Sequence, residues 1–205
     1  MAGAAAGSGE PNKAIVPAVK AQARAINVQR SDLAGSGWKA QPSTSKGDTP
    51  RCSYYTPDQS DLTENGDADS PEFTLPSGSF VSSSTGIFLD AKQARTAYAR
   101  VVQPLLPRCL AEVFRKGTGH ASQVTITAAR AIAWPKVADR TNAYRIVAGL
   151  HVSATQTIVV TIDLVTLNHG KVDAVVFFAG IGKPFAGAFE RVVVAKVAAR
   201  ILRVS

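Results

Sequence analysis

Residues 143–181, AYRIVAGLHVSATQTIVVTIDLVTLNHGKVDAVVFFAGI, decide the fold of this chain. Val, Ile, Thr and Phe dominate the run, and residue sets of that kind fit a pleated, half-buried surface. Turn signals at 154–156 and 168–170 divide it into strands at 143–153, 157–167 and 171–181, with connections short enough for hairpins. Residues 123–134 supply a fourth strand upstream. With the hairpins centred near 155 and 169, alternation assigns one apolar face to Tyr144, Ile146, Ala148, Leu150, Ile158, Val160, Ile162, Leu164, Val172, Val176 and Phe178. The other face is mixed: Arg145, His151, Thr161, Asp163 and Asp173, with Arg145 diagonal to Asp163 and near Asp173. A one-residue change at either turn would undo this grouping.

Helices are expected on either side of these strands. Residues 80–89 read as a strand. Asp90 then caps a helix, Gln93 completes a capping-box arrangement, and apolar residues from Ala91 to Leu106 recur at helical spacing. Pro104 and Pro107 kink or restart this helix, which runs on to Gly117. Residues 185–204 form a final apolar and basic helix. Residues 14–28 suggest an amphipathic helix with Pro17 in its first turn, where the missing N–H does no harm. The expected fold class is α+β: a largely antiparallel twisted β-sheet packed between helices, an αβα sandwich.

The chain is organised around that core. Residues 1–12 are rich in Ala, Gly and Ser and read as a disordered arm without the n-region and h-region of a signal peptide. Residues 13–205 form a single domain, with a helix and a long irregular wrap over 13–79 and the regular core over 80–205. The wrap includes a short strand near 38–40. So long a loop in a compact domain is unusual and needs an anchor. Cys52 in the wrap and Cys109 in the helix either form a disulfide or are two unrelated buried thiols. The disulfide is favoured because it supplies that anchor, and it would place the protein in an oxidising compartment.

The net charge of +8 is unevenly spread. Residues 1–72 carry seven basic and nine acidic side chains, and residues 73–205 carry sixteen basic and six acidic. The two parts can attract each other or outside partners. Lys and Arg are adjacent only at Arg115-Lys116 and otherwise scattered, which argues against a nucleic-acid surface. No run approaches the ~18 uncharged apolar residues of a transmembrane span. The acidic residues from Asp58 to Glu72 read as a solvated loop, since their order does not fit a calcium loop. No phosphate-binding loop, dinucleotide fingerprint, HExxH or GxSxG motif occurs, so no cofactor is expected. Two distant cysteines are too few for a structural zinc site, so no metal is expected either. His120 and His169 lie in expected turns, and His151 lies in a strand.

The most distinctive local text is residues 134–145, WPKVADRTNAYR, which gathers Trp134, Asp139, Arg140, Tyr144 and Arg145 at one sheet edge. It reads as a hairpin with a packed Trp134, or as an aromatic and guanidinium cluster for an anionic or sugar-like ligand.

Several segments together carry a family resemblance: Asp32-Leu33 with Gly37-Trp38, Phe80-Val81-Ser82-Ser83-Ser84, the DAKQARTAY helix start from Asp90 to Tyr98, the two cysteines, Asp139 to Tyr144, Val172 to Val176, and the closing Ala-Ala-Arg200. The chain resembles the secreted lipoproteins and receptor-kinase sensor domains of actinobacteria, whose fold is PsbP-like. The resemblance covers about residues 14–204. It implies a secreted or envelope-anchored protein, a signal or lipid-anchor segment outside this sequence, a binding or sensing role, and no shared catalytic constellation. Mycobacterial kinase sensor domains carry two disulfides, whereas one is possible here.

The expected function is therefore a non-enzymatic extracytoplasmic domain that binds a small ligand, an envelope protein or a polymer. Trp134, Arg140, Tyr144, Arg145 and His151 would line its site. One alternative is a small hydrolase-type enzyme using Asp163, Asp173 and His151, which must then converge. Another is a structural or assembly factor that docks through its basic surface.

Overall fold

The computed structural model describes residues 9–43, 49–117, 123–153 and 155–204. These residues contain nine strands and four helices. In chain order they are β1 (Asn12–Lys13), α1 (Pro17–Ile26), β2 (Lys39–Gln41), β3 (Thr63–Asp69), β4 (Glu72–Thr74), β5 (Phe80–Phe88), α2 (Ala91–Val101), α3 (Leu106–Gly117), β6 (Val124–Ile132), β7 (Arg140–His151), β8 (Thr157–His169), β9 (Val172–Ile181) and α4 (Gly187–Ile201). One open sheet runs β1-β3-β5-β9-β8-β7-β6, with β4 also on β5 and β2 on β4. Every pairing is antiparallel except β1 with β3. This is the expected α+β class.

Two apolar layers hold helices to the sheet. On one face, Ala23 and Ile26 of α1 and Val193, Val194, Val197 and Ile201 of α4 pack on Val81, Ile87, Val165, Leu167, Val172, Val176 and Phe178. On the other, Leu106, Cys109 and Ala111 of α3 pack near Tyr144, Ile146, Val160, Ile162 and Ala179. α2 lies over β5, β8 and β9 on this second face and buries only Ala94, Ala97 and Tyr98. The Asp90 carboxylate caps α2 by accepting from the Gln93 N–H at 2.8 Å. The Gln93 side chain does not return to its cap; its Oε1 accepts from the Thr63 N–H at 2.6 Å and ties α2 to β3.

Both hairpins correct the expected register. β7 and β8 pair with Tyr144 opposite Leu164 and Arg145 directly opposite Asp163, not diagonal to it. β8 and β9 join through Gly170 and Lys171, with Gly170 at φ 53° and His169 opposite Val172. The left-handed conformation favours glycine at this turn. The shift inverts the alternation of β9, as a register change must. Val172, Val176 and Phe178 therefore face α1 and α4 alongside Asp163, while Asp173 faces α2.

The acidic stretch and the arm also depart from expectation. Residues 63–69 and 72–74 are strands, not a solvated loop, because β5 offers an open edge for pairing. Residues 1–8 of the expected arm lie outside the described residues. Gly9 is buried, and its carbonyl accepts from the Gln59 N–H at 2.8 Å. The wrap is anchored at several points. Cys52 and Cys109 form a disulfide across 57 residues. Trp38 stacks on Phe185 and Phe189 at 6.0 and 5.9 Å. Asp61 pairs with Arg100, and Asp32 with Arg200. Acidic groups of the wrap thus meet basic groups of the core. No helix of the described residues is long and apolar enough to cross a membrane.

Candidate functional site

The five residues expected to line a site do not converge. Trp134 packs against the α1 and α4 core. Tyr144 is buried in the cluster around the disulfide, where burial pushes its phenol up to about 12. Arg145 points to the opposite face and holds Asp163. His151 sits at the exposed end of β7, bridged by Thr125 Oγ1 and Thr157 Oγ1, both at 2.9 Å. Arg140 alone among them lines a concavity. The expected acid/base group fails as well. Asp163 pairs with Phe178 and Asp173 with Asn168, which places the two carboxyls on opposite faces of the sheet. His120 lies outside the described residues.

Two concavities stand out. The larger, about 620 Å³, runs between α1 and the β3–β4 region and is lined by Ala21, Arg24, Ala25, Asn27, Pro71 and Phe73, among others. Its buried polar groups, Asn27 and Ser70, are spent inward: the Asn27 amide donates to the Ala68 carbonyl and its Oδ1 accepts from Ser83 and Thr85, while the Ser70 hydroxyl donates to the Pro71 carbonyl and accepts from the Ser83 N–H. The second groove, about 540 Å³, is lined by Tyr98, Ala99 and Val102 of α2 with Lys136, Asp139, Arg140, Thr141 and Asn142. It brings two cations, the Asp139 carboxylate, an aromatic ring and an amide to one opening, the mixture expected of a ligand site.

Each wall of this groove has a local cause. The Thr141 hydroxyl accepts from the Val137 and Ala138 N–H groups at 3.2 and 3.3 Å, which curls the β6–β7 connection and turns Lys136 and Arg140 to one side. Asp139 lies 2.9 Å from His169 Nδ1, and this neighbour holds its carboxyl below the usual carboxylate range. Arg140 lies over the Tyr98 ring at 6.0 Å. Among the described residues one of its guanidinium nitrogens is engaged, Nη1 donating to the Arg95 carbonyl at 3.2 Å. A guanidinium has five N–H donors, so most of the fork is left for solvent or a ligand.

Beneath the groove the sheet is polar. Arg140, Asn168 and Asp173 stand opposite one another on three adjacent strands, and Gly86 of β5 is the fourth member of that row. A side chain at Gly86 would land on the Glu64 carboxylate, which fills the space glycine leaves and pairs with Lys13. The next row carries Asn142 and Thr166. The Tyr98 hydroxyl accepts from Asn142 Nδ2 at 2.8 Å and lies 3.1 Å from Thr166 Oγ1. Asn168 Nδ2 donates to Asp173 Oδ1 at 2.6 Å. Asp173 as a whole keeps some solvent contact, but its carboxyl is enclosed, and burial pushes it well above the usual carboxylate range. Burial likewise raises Glu64.

A different cluster lies under α4. Arg145 Nε and Nη2 donate to Asp163 Oδ1 and Oδ2 at 2.7 and 2.6 Å, a bidentate pair. Glu190, in the first turn of α4, is 1% exposed, and its Oε1 has no hydrogen-bond partner. Burial, then the neighbouring Asp163 carboxylate, pushes Glu190 up to about 8. This cluster is closed on itself and lines neither concavity.

Sequence reasoning found Arg140 and quoted the text that holds Lys136, Asp139 and Asn142. It missed Tyr98, Thr166 and Asn168. Tyr98 read as one more apolar helix position, and Asn168 as a turn residue. Among the described residues no group of His, Cys, Asp and Glu could hold a metal ion. No family model matches the chain, and no curated protein or solved structure matches it.

Proposed function

We propose that this chain is a non-catalytic extracytoplasmic binding domain, of the secreted lipoprotein and sensor type with a PsbP-like fold, and that it takes a small ligand or an envelope polymer in the groove between α2 and the β6–β7 connection. The observation that carries this reading is the juxtaposition of Arg140, over the Tyr98 ring at 6.0 Å with most of its donors unspent, and Lys136 in one open groove. The Cys52–Cys109 bond supports the compartment, since disulfides persist where the surroundings oxidise. A binding role is favoured over hydrolysis because Asp163 and Asp173 stand on opposite faces, and Asp163 is closed in a bidentate pair with Arg145.

Thermal-shift screening of envelope-derived sugars, peptides and anionic compounds tests this reading. Stabilisation of the native chain that disappears in the K136A/R140A double variant is the expected result. Stabilisation by none of the compounds would remove the groove as a small-ligand site, and stabilisation that survives the double variant would move the site elsewhere.

A further inference from the structure

The proposed binding role leaves open what the groove selects, and the row of residues beneath it bears on that choice. Arg140 stands at the solvent end of the row, Asn168 next and Asp173 third, on one face of three paired strands. Resting on the groove reading above, we propose that the groove is an oxyanion site that holds a carboxylate or phosphate group on Arg140 and Lys136, and that Asp173 competes with this ligand for Arg140.

Geometry sets the competition. Asn168 spans the gap by donating to Asp173, so the guanidinium and the carboxyl share a row without forming an ion pair. Arg140 is therefore not consumed internally, in contrast to Arg145, whose fork is filled by Asp163. A planar guanidinium beside an aromatic ring, 6.0 Å from its centroid, offers paired donors that match a carboxylate or phosphate edge. Lys136 adds a second positive charge at the same opening. The groups that face Asp173 are Asn168 from β8, Arg140 from β7, Tyr98 from α2, and Glu64 from β3 with its partner Lys13 from β1. Glu64 opposes ionisation of Asp173, and Arg140 favours it. Asp173 thus stays neutral while Arg140 serves a ligand. Once it ionises, it draws the same cation inward, and the ligand loses attraction.

Calorimetric titration with inorganic phosphate and with glucuronate tests this on the intact, oxidised chain. Binding of either probe supports the oxyanion class, and the probe that binds separates a phosphate ester from a sugar acid. R140A should weaken binding about tenfold or more, as loss of a charge-assisted contact predicts. With glucuronate, whose carboxylate stays ionised, affinity of the native chain should fall as pH rises past the usual carboxylate range, and D173N should bind without that fall. Unchanged binding in R140A, or a D173N profile identical to the native one, overturns the proposal. Silence of both probes overturns the oxyanion class, while a neutral sugar or peptide that stabilises the chain through the same two cations leaves the binding groove standing.

Discussion

Each face of the sheet carries an arginine and an acidic residue in one cross-strand row, and the two rows are built differently. Under α4, Arg145 and Asp163 are direct neighbours, and both oxygens and two nitrogens are used. Under α2, one strand separates Arg140 from Asp173, and Asn168 fills the gap. The direct pair neutralises itself and then loads a further acid, Glu190, onto the same spot. The spaced pair leaves the cation at the rim and the acid inside, each with capacity unspent. Adjacency makes a structural staple, and one intervening strand makes a site that can respond to a ligand.

Four experiments would break or sharpen this contrast. The largest effect is expected from C52S/C109S, which frees the wrap from α3 on the groove face alone. A bond closing a loop of 57 residues predicts a loss of about 4 kcal/mol in the chain-entropy model, read from urea midpoints under matched conditions. A loss below about 1 kcal/mol would show that Trp38 and the ion pairs already anchor the wrap. R145A comes next. It leaves Asp163 buried and unpaired beside Glu190, and about 3 kcal/mol should be lost. If R145A costs no more than R140A, the direct pair has no structural advantage over the spaced one.

The third effect is pH dependence. A carboxyl raised on folding contributes its stability in full below its unfolded value, and that contribution is lost as pH rises through the folded value. For Glu190 the window runs from near 4.5 to about 8. The native chain should lose stability steadily across it, at up to about 1.4 kcal/mol per pH unit. E190Q should flatten that part of the slope, leaving a residue from Asp173 and Glu64, which are raised in the same direction. A native profile that rises with pH would contradict the closed cluster. The smallest effect is expected from R140A, which loses a ring contact and one hydrogen bond at the surface, about 1 kcal/mol or less. A larger loss would make Arg140 structural and weaken its assignment to a ligand.

The sequence carried the architecture in its alternation and caps. The β7–β8 face, the α2 cap at Asp90, the α2–α3 break before Pro107 and the Cys52–Cys109 bond all rest on local signals. The site depended on one residue of register. A turn at 168–170 places Asp173 on the face of Arg145, and a turn at Gly170-Lys171 places it beside Asn168, in the row that ends on Arg140. Composition does not separate the two, since Asn, His and Gly all suit turns. β3 was hidden for a different reason. Thr63–Asp69 reads TENGDAD, with almost no intrinsic strand preference, and it pairs because β5 would otherwise expose an edge.

The segregation of aromatic residues gives the molecule two optical channels. Both tryptophans, Trp38 and Trp134, pack against the α1 and α4 core. Of the four tyrosines, Tyr54, Tyr55 and Tyr144 surround the disulfide, and Tyr98 roofs the polar rows under α2. Indole emission therefore watches the α4 side, while phenol absorbance watches the groove side. Loosening of one helical layer before the other would separate the two signals in time within the unaltered chain, with no introduced probe.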